Sequence, residues 1–132
     1  MTNAVRFEVP GIPVAKGRAR STSTGHHYTP AKTVAYESTV ALFARQAMGS
    51  ARPMEGPLRL SIVATWPVPA SWSKKRREAA FWKTGKPDAD NIAKTIGDAC
   101  NAIVWLDDSQ VVQLHCAKKY GPIPGVVVEV VA

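Results

Sequence analysis

The stretch KPDADNIAKTIGDACNAIVWLDDSQVV, residues 86–112, combines a clear helical pattern with half of the acidic residues of the chain. Five of the ten Asp and Glu residues lie between Asp88 and Asp108, where Lys94 is the only base, although the whole chain has a net charge of +7. Carboxylates gathered in this way repel one another unless a cation balances them, and a basic protein attracts polyanions. The contrast predicts metal-dependent chemistry on nucleic acid.

Apolar residues within this stretch recur at helical spacing and predict one buried helix face: Ile92, Ile96, Ala99, Cys100 and Ile103. Asp90, Lys94 and Asp98 are spaced by four and therefore share another side of the same helix. The helix thus presents an apolar face to a core and a charged face elsewhere.

The acidic residues begin at opposite ends of this helix, which at about fourteen residues is roughly 20 Å long. Asp88 and Asp90 flank its start, whereas Asp107 and Asp108 follow its end. They converge only if the chain after Ala102 folds back, as a strand running antiparallel to the helix does. Structural alternatives stay open, because Asp before a helix is a common N-cap and Asp-Asp-Ser is an ordinary turn.

Converging carboxylates suit magnesium, which prefers oxygen ligands, and two such ions activate water and stabilise the leaving oxygen of a phosphodiester. Lys94, one turn after Asp90, is placed to neutralise charge on the phosphoryl group. A calcium-binding loop does not fit, because the sixth position from Asp88 is Ala93 rather than Gly and the twelfth is Ala99 rather than Glu.

The remaining patterns predict an α+β fold. They indicate a strand at 4–9, a polar loop at 11–27, a helix at 31–48, a strand at 58–66, a short basic helix at 74–82, and strands at 111–119 and 126–131 that pair as a hairpin. The order β-α-β-(α)-α-β-β predicts helices packed on a small mixed sheet. Residues 1–132 have the length of a single domain. The helix at 31–48 is predicted to bury Val34, Val40, Leu42, Phe43 and Ala47.

The chain is predicted to be cytoplasmic and to have no membrane partner. It has no apolar run of ~18 residues, and its first residues lack the pattern of a signal peptide. Cys100 and Cys116 are therefore expected to be reduced thiols with a packing role.

An ordered set of residues carries a resemblance to a known family: Asp88-x-Asp90-Asn91, Lys94, Asp98-Ala99 and Trp105-Leu106-Asp107-Asp108-x-Gln110-Val111. In this spacing the chain resembles the RusA family of Holliday-junction resolvases, small endodeoxyribonucleases of bacteria and prophages. The N-terminal half, with Lys16-Gly17-Arg18-x-Arg20 and Tyr28-Thr29-Pro30, resembles the prophage branch of that family.

The resemblance implies a homodimer that binds four-way DNA junctions and makes paired nicks with magnesium or manganese. It implies that Asp88, Asp90 and Asp108 are catalytic and bind metal, that Lys94 is catalytic, and that Asp107 is either a further ligand or a residue that supports the ligands. Two other functions stay open: a junction-binding protein that does not cleave, and a nuclease that acts on flaps or other branched DNA.

Basic residues near the acidic stretch are predicted to contact DNA phosphates, although a run of bases also forms an ordinary solvated helix face. The predicted DNA-binding residues are Lys16, Arg18, Arg20, Lys74, Lys75, Arg76, Arg77, Lys83, Lys86 and Asn91. Trp72 and Trp82 bracket the densest run and either stack on exposed bases or pack the short helix on the core. Trp105 is expected in the core, where it anchors the loop that carries Asp108.

Overall fold

The computed structural model describes residues 3–15, 20–21, 27–28 and 30–132. Its elements, in chain order, are β1 (Ala4–Pro10), β2 (Arg20–Ser21), β3 (His27–Tyr28), α1 (Ala31–Met48), β4 (Leu58–Trp66), α2 (Lys74–Ala79), α3 (Ala89–Cys100), a 3-10 turn (Asp108–Gln110), β5 (Val111–Tyr120) and β6 (Gly125–Val131). The predicted α+β class and order of the main elements are confirmed. The short pair β2–β3 lies in the segment predicted to be a loop, apart from Tyr28, which directly follows that segment.

The main sheet has four strands in the order β1-β6-β4-β5. The pairs β1–β6 and β6–β4 are antiparallel, whereas β4–β5 is parallel. The predicted hairpin between the last two strands is wrong, because β4 lies between them. Alternation in a sequence identifies a strand but not its partner, and β4, buried at every second residue, takes a neighbour on each side.

The connection from β5 to β6 crosses the end of β4. Gly121 donates its backbone N–H to the Trp66 carbonyl at 3.0 Å. A Cβ on Gly121 would lie 2.8 Å from Cγ2 of Thr65, so the crossing requires a residue without a side chain. Pairing then resumes on the other side of β4, where Gly125 opposes Thr65.

The core lies between the sheet and the helices α1 and α3. Every second residue of β1, β4 and β6 is buried, as expected for strands with one covered face. The described helices include none that is both long and apolar enough to cross a membrane.

The two main helices match their predicted faces unequally. In α3 the apolar stripe is buried as predicted up to Cys100, where the helix ends after 12 residues rather than about fourteen, and Ile103 beyond it is half-buried. In α1 the buried residues are Thr33, Val40, Ala44 and Met48. The prediction for Val34, Leu42 and Ala47 is wrong: Val34 and Leu42 are about half exposed, at 50% and 51%, and Ala47 is exposed as well. Apolar residues occur on every side of α1, so their pattern does not identify the face that is buried.

Candidate active site

Helix α3 positions the first charged side chains. Its apolar face is held by the core, so the face that carries Asp90, Lys94 and Asp98 points away from the buried stripe. Asp90 and Lys94 are exposed, and Asp98 is half-buried. These three residues stand one helical turn apart, with the base between two acids.

The chain returns toward α3 through a compact turn. Ala102 has a left-handed φ of 68°, an uncommon conformation for a residue with a Cβ. Its N–H donates to the Trp105 carbonyl at 2.7 Å, and Val104 donates to the Cys100 carbonyl at 2.9 Å. This turn reverses the chain directly after the helix, which is the step that the spacing of the acids required.

Trp105 connects the core to the site. Its side chain is fully buried, as predicted, and its indole Nε1–H donates to Oδ1 of Asp108 at 2.8 Å. The bond occupies one carboxylate oxygen and fixes the direction of the group, while Asp108 itself remains exposed. Asp108 is therefore aimed by a residue that packing immobilises.

Gln110 holds the same loop from its other end. Its Oε1 accepts from the N–H groups of Leu106 and Asp107 at 2.9 and 3.0 Å. Its Nε2 donates to the carbonyls of Met54 and Gly56 at 2.8 and 3.1 Å. This single side chain ties the loop to the segment before β4, which explains why the motif contains a glutamine.

A cleft of about 380 Å³ brings the charged residues together. Three carboxylates and one ammonium group line it: Asp90, Asp98, Asp108 and Lys94. Apolar side chains of the sheet and helix, among them Leu60 and Leu114, form the rest of its wall. The cleft therefore concentrates negative charge in a protein of net charge +7.

Asp88 does not line this cleft but occupies the N-cap position of α3. Its carboxylate makes no capping hydrogen bond, so the helix cap does not account for an acidic residue here. The segment before it is held by Lys118 of β5, whose Nζ donates to the carbonyls of Gly85 and Pro87, each at 2.8 Å. Lys118 thus fixes the start of α3 and the residue that leads into it.

Asp107 does not line the cleft either, and its contacts match the ordinary turn that the sequence also allowed for Asp-Asp-Ser. Oδ1 of Asp107 accepts the Ser109 N–H at 3.1 Å and caps the 3-10 turn, where Gln110 completes a capping box. Of the two consecutive acids, one stabilises the turn and the other faces the cleft.

The donor set of the cleft fits a hard divalent cation. Mg²⁺ is commonly held by one or two carboxylates together with water and substrate phosphates, and Asp90 and Asp108 supply such a pair. Within the described ranges, no group of three or more His, Cys, Asp or Glu side chains is placed to hold a metal ion. The joint ligation predicted for Asp88, Asp90 and Asp108 stays a prediction.

The two cysteines are free and belong to the core and its margin. Burial raises the pKa of Cys100 to about 12, with the Asp108 carboxylate adding to the effect. Burial raises the pKa of Cys116 to about 11. Thiolates are the reactive and metal-binding form, so both residues act in packing, as the sequence indicated.

The basic helix α2 carries its side chains on the surface. Its four consecutive bases, Lys74, Lys75, Arg76 and Arg77, are exposed. The Arg76 guanidinium lies 3.7 Å above the Trp72 ring, which meets Tyr120 edge-on at 5.4 Å between centroids. Trp72 therefore packs α2 against the end of β5.

Of the other predicted DNA contacts, Lys83 and Lys86 precede the acidic stretch. Lys83 is half-buried, with Nζ 5.4 Å from the ring centre of Trp66, and desolvation together with the charge of Lys118 lowers its pKa. Lys86 is exposed and Asn91 half-buried. Lys16 and Arg18 lie outside the described residues, and Arg20 begins β2.

Three contributors to the site were missing from the predicted site residues. The sequence did indicate Asp98, since this residue stands four residues after Lys94 on the predicted charged face. It also indicated Gln110, which belongs to the motif. Nothing in the sequence indicated Lys118, because its partners are backbone carbonyls of a segment 31 and 33 residues away.

The fold and the cleft together fit a class of protein: a small α+β enzyme with an acidic, lysine-containing site and an exposed basic helix, as expected for hydrolysis of nucleic-acid phosphodiesters. The chain belongs to the RusA family, since it matches the family described as Endodeoxyribonuclease RusA over residues 10–131. It is also 38% identical, over 136 residues, to the "Uncharacterized protein YqaN" of Bacillus subtilis (strain 168). That alignment covers 94% of this chain and 93% of the relative. The family predicted from the motif is confirmed.

Proposed function

We propose that the protein is an endonuclease that depends on magnesium or manganese and resolves four-way DNA junctions in recombination and repair. The observation that carries the proposal is the cleft in which Asp90, Lys94 and Asp108 meet. Membership of an endodeoxyribonuclease family supports the reaction type, and the exposed bases of α2 support a DNA substrate.

Each residue of the cleft has a chemical role in this proposal. Asp90 and Asp108, with Asp88 at the helix start, would hold the metal, which supplies Lewis-acid stabilisation and an activated water. Lys94 places its ammonium group against the phosphoryl oxygens as charge develops on them. Trp105 keeps the Asp108 carboxylate in one orientation, so little reorganisation accompanies the reaction.

Resolution of a junction also requires two incisions in strands related by approximate two-fold symmetry. One chain contributes one such cleft. An isologous homodimer presents two clefts with the same symmetry as the substrate, and we include this dimer in the proposal.

The proposal predicts that Asp90→Asn and Asp108→Asn each lower the rate of junction cleavage in magnesium by at least ~100-fold. These substitutions preserve size and remove charge, and Glu8→Gln, at an exposed acid of β1 on the opposite edge of the sheet from β5, is the matched control and keeps the wild-type rate. The measurement is product formation from a synthetic four-way junction, with EDTA as the metal-free arm. An Asp90→Asn protein that cuts as fast as wild type contradicts the mechanism.

The same assay separates the alternative functions. Faster cleavage of a flap than of the junction would move the substrate to other branched DNA. Tight junction binding without product at any metal concentration would identify a binding protein. Asp107→Asn tests the further ligand: because asparagine still accepts the Ser109 N–H, a lower rate would reveal a role beyond capping.

A further inference from the structure

An exposed pair of aromatic side chains lies just before the acidic helix. Phe81 and Trp82 are 54% and 63% exposed, although rings of this size are usually largely buried. Their ring centroids are 4.7 Å apart at an interplanar angle of 85°, so they form one edge-to-face unit. The core and the proposed catalytic cleft make no use of this pair.

The aromatic pair is held rigidly by the edge of the sheet. Tyr120 of β5 donates its N–H to the Phe81 carbonyl at 2.7 Å, and Lys83 donates to the Lys118 carbonyl at 3.0 Å. Trp82 opposes Lys119 in an antiparallel bridge. The two rings therefore project from an ordered backbone.

Lys118 of β5 connects the aromatic pair to the start of α3. The backbone carbonyl of Lys118 accepts from Lys83, next to Trp82, while its ammonium group donates to the carbonyl of Pro87, next to Asp88. The aromatic pair and the first acid of the site are thus each one residue from a group that Lys118 holds. Lys118 therefore links the backbone that carries the rings to the backbone that leads into α3.

Positive charge surrounds the pair. Nζ of Lys119 lies 6.0 Å from the ring centre of Phe81. Lys83 follows Trp82 directly, exposed Lys86 lies beyond it, and α2 with its four bases precedes Phe81. Aromatic rings set among bases match the sites at which proteins stack unpaired bases while cations hold the phosphates.

We infer that Phe81 and Trp82 form a stacking platform for bases that lose their stacking partners at the branch point of a DNA junction. The inference rests on the proposed function and adds to it a basis for distinguishing branched from linear DNA. A continuous duplex offers no exposed base face, so the platform contributes little to duplex binding. A second copy of this chain is the rival occupant of the same surface.

The test measures binding of the protein in EDTA to a fluorescent four-way junction and to a linear duplex with the sequence of one arm. Trp82→Ala is expected to weaken junction binding about tenfold, the order found when one stacking contact is removed, and to leave duplex binding unchanged. Phe81→Ala weakens it in the same direction, whereas Trp82→Phe retains most of the affinity because a ring remains. Ile123→Ala, at an exposed apolar residue of the β5–β6 connection, is the control with no expected effect.

The possible results separate this inference from the proposed function. If wild type cuts the junction but Trp82→Ala and Phe81→Ala bind it as tightly as wild type, the nuclease stands and the platform is wrong. If wild type neither binds nor cuts the junction, both fail. A shift of Trp82→Ala to a lower sedimentation mass than wild type would assign the rings to self-association and overturn the inference, and thermal melting verifies that each variant is folded.

Discussion

Trp105 has two separable functions, because its ring is buried while its N–H faces the cleft. The ring fills the core at the turn after α3, and the Nε1–H holds Oδ1 of Asp108 at 2.8 Å. Hydrogen bonds to a charged group contribute more than neutral ones. Here the main consequence is orientation, since Asp108 is exposed to solvent and can find other donors in water.

Trp105→Phe separates the two functions. Phenylalanine keeps most of the apolar contact but lacks the donor, so we expect junction cleavage to slow by roughly tenfold or more while the protein stays folded. The measurement is the single-turnover rate in magnesium together with the thermal midpoint. Trp66→Phe, the same change at a buried tryptophan of β4, should retain the wild-type rate. Equal rates for wild type and Trp105→Phe would show that the bond does not position the carboxylate.

At the scale of elements, the sequence predicted the features that follow from the periodicity of apolar residues. It missed the features that depend on which strands pair with one another. Helix α3 was predicted correctly because its apolar residues recur on one face and nothing competes with them. The pairing of the last two strands was not, since the sequence of a strand does not identify its neighbour in the sheet, and the insertion of β4 between β5 and β6 follows from packing.

The site shows the same contrast between residues close in sequence, whose arrangement could be predicted, and contacts between distant segments, which could not. Residues one turn apart on α3 could be placed on one face from their spacing alone. The return of Asp108 depends on the left-handed Ala102, a residue type that gives no signal for such a turn. The hydrogen bonds of Gln110 and Lys118 reach backbone carbonyls of distant segments, and no side-chain pattern reports those partners.

Lys118 joins β5 to the start of α3, and its removal should disturb catalysis through geometry. Lys118→Met preserves the aliphatic stem but loses the two bonds to the carbonyls of Gly85 and Pro87. We expect a lower maximal cleavage rate with a smaller change in junction affinity, because the backbone that positions Asp88 and Asp90 is no longer held. Lys118→Arg, which can still donate to both carbonyls, should recover part of the rate.

The measurement for Lys118 is the dependence of the cleavage rate on DNA concentration, which separates binding from turnover. Lys32→Met, at an exposed base of α1, controls for loss of one positive charge. If Lys118→Met weakens affinity alone and Lys32→Met does not, Lys118 contacts DNA directly and does not position the helix.

At the scale of the whole molecule, acidic side chains gather in the cleft of a chain that is otherwise rich in bases. The chain has a pI of about 9.7, yet the cleft is lined by three carboxylates against one lysine. The surrounding bases attract the phosphate backbone in a way that does not depend on sequence, while the acids draw a cation to the one place where chemistry is proposed. Affinity and cleavage should therefore respond differently to salt and to divalent metal.

Salt dependence measures how many of these bases meet phosphates. Each phosphate contact contributes about 0.9 to the slope of log K against log salt concentration, so the double substitution Lys74→Gln, Lys75→Gln on α2 should reduce the magnitude of that slope by about two. Binding to a four-way junction, titrated with NaCl in EDTA, provides the slope. Arg6→Gln is the control, because the Arg6 guanidinium is already paired with Glu8 at 3.0 Å. A slope that the α2 variant leaves unchanged would place this helix away from the DNA, and the basic contribution would then belong to other parts of the surface.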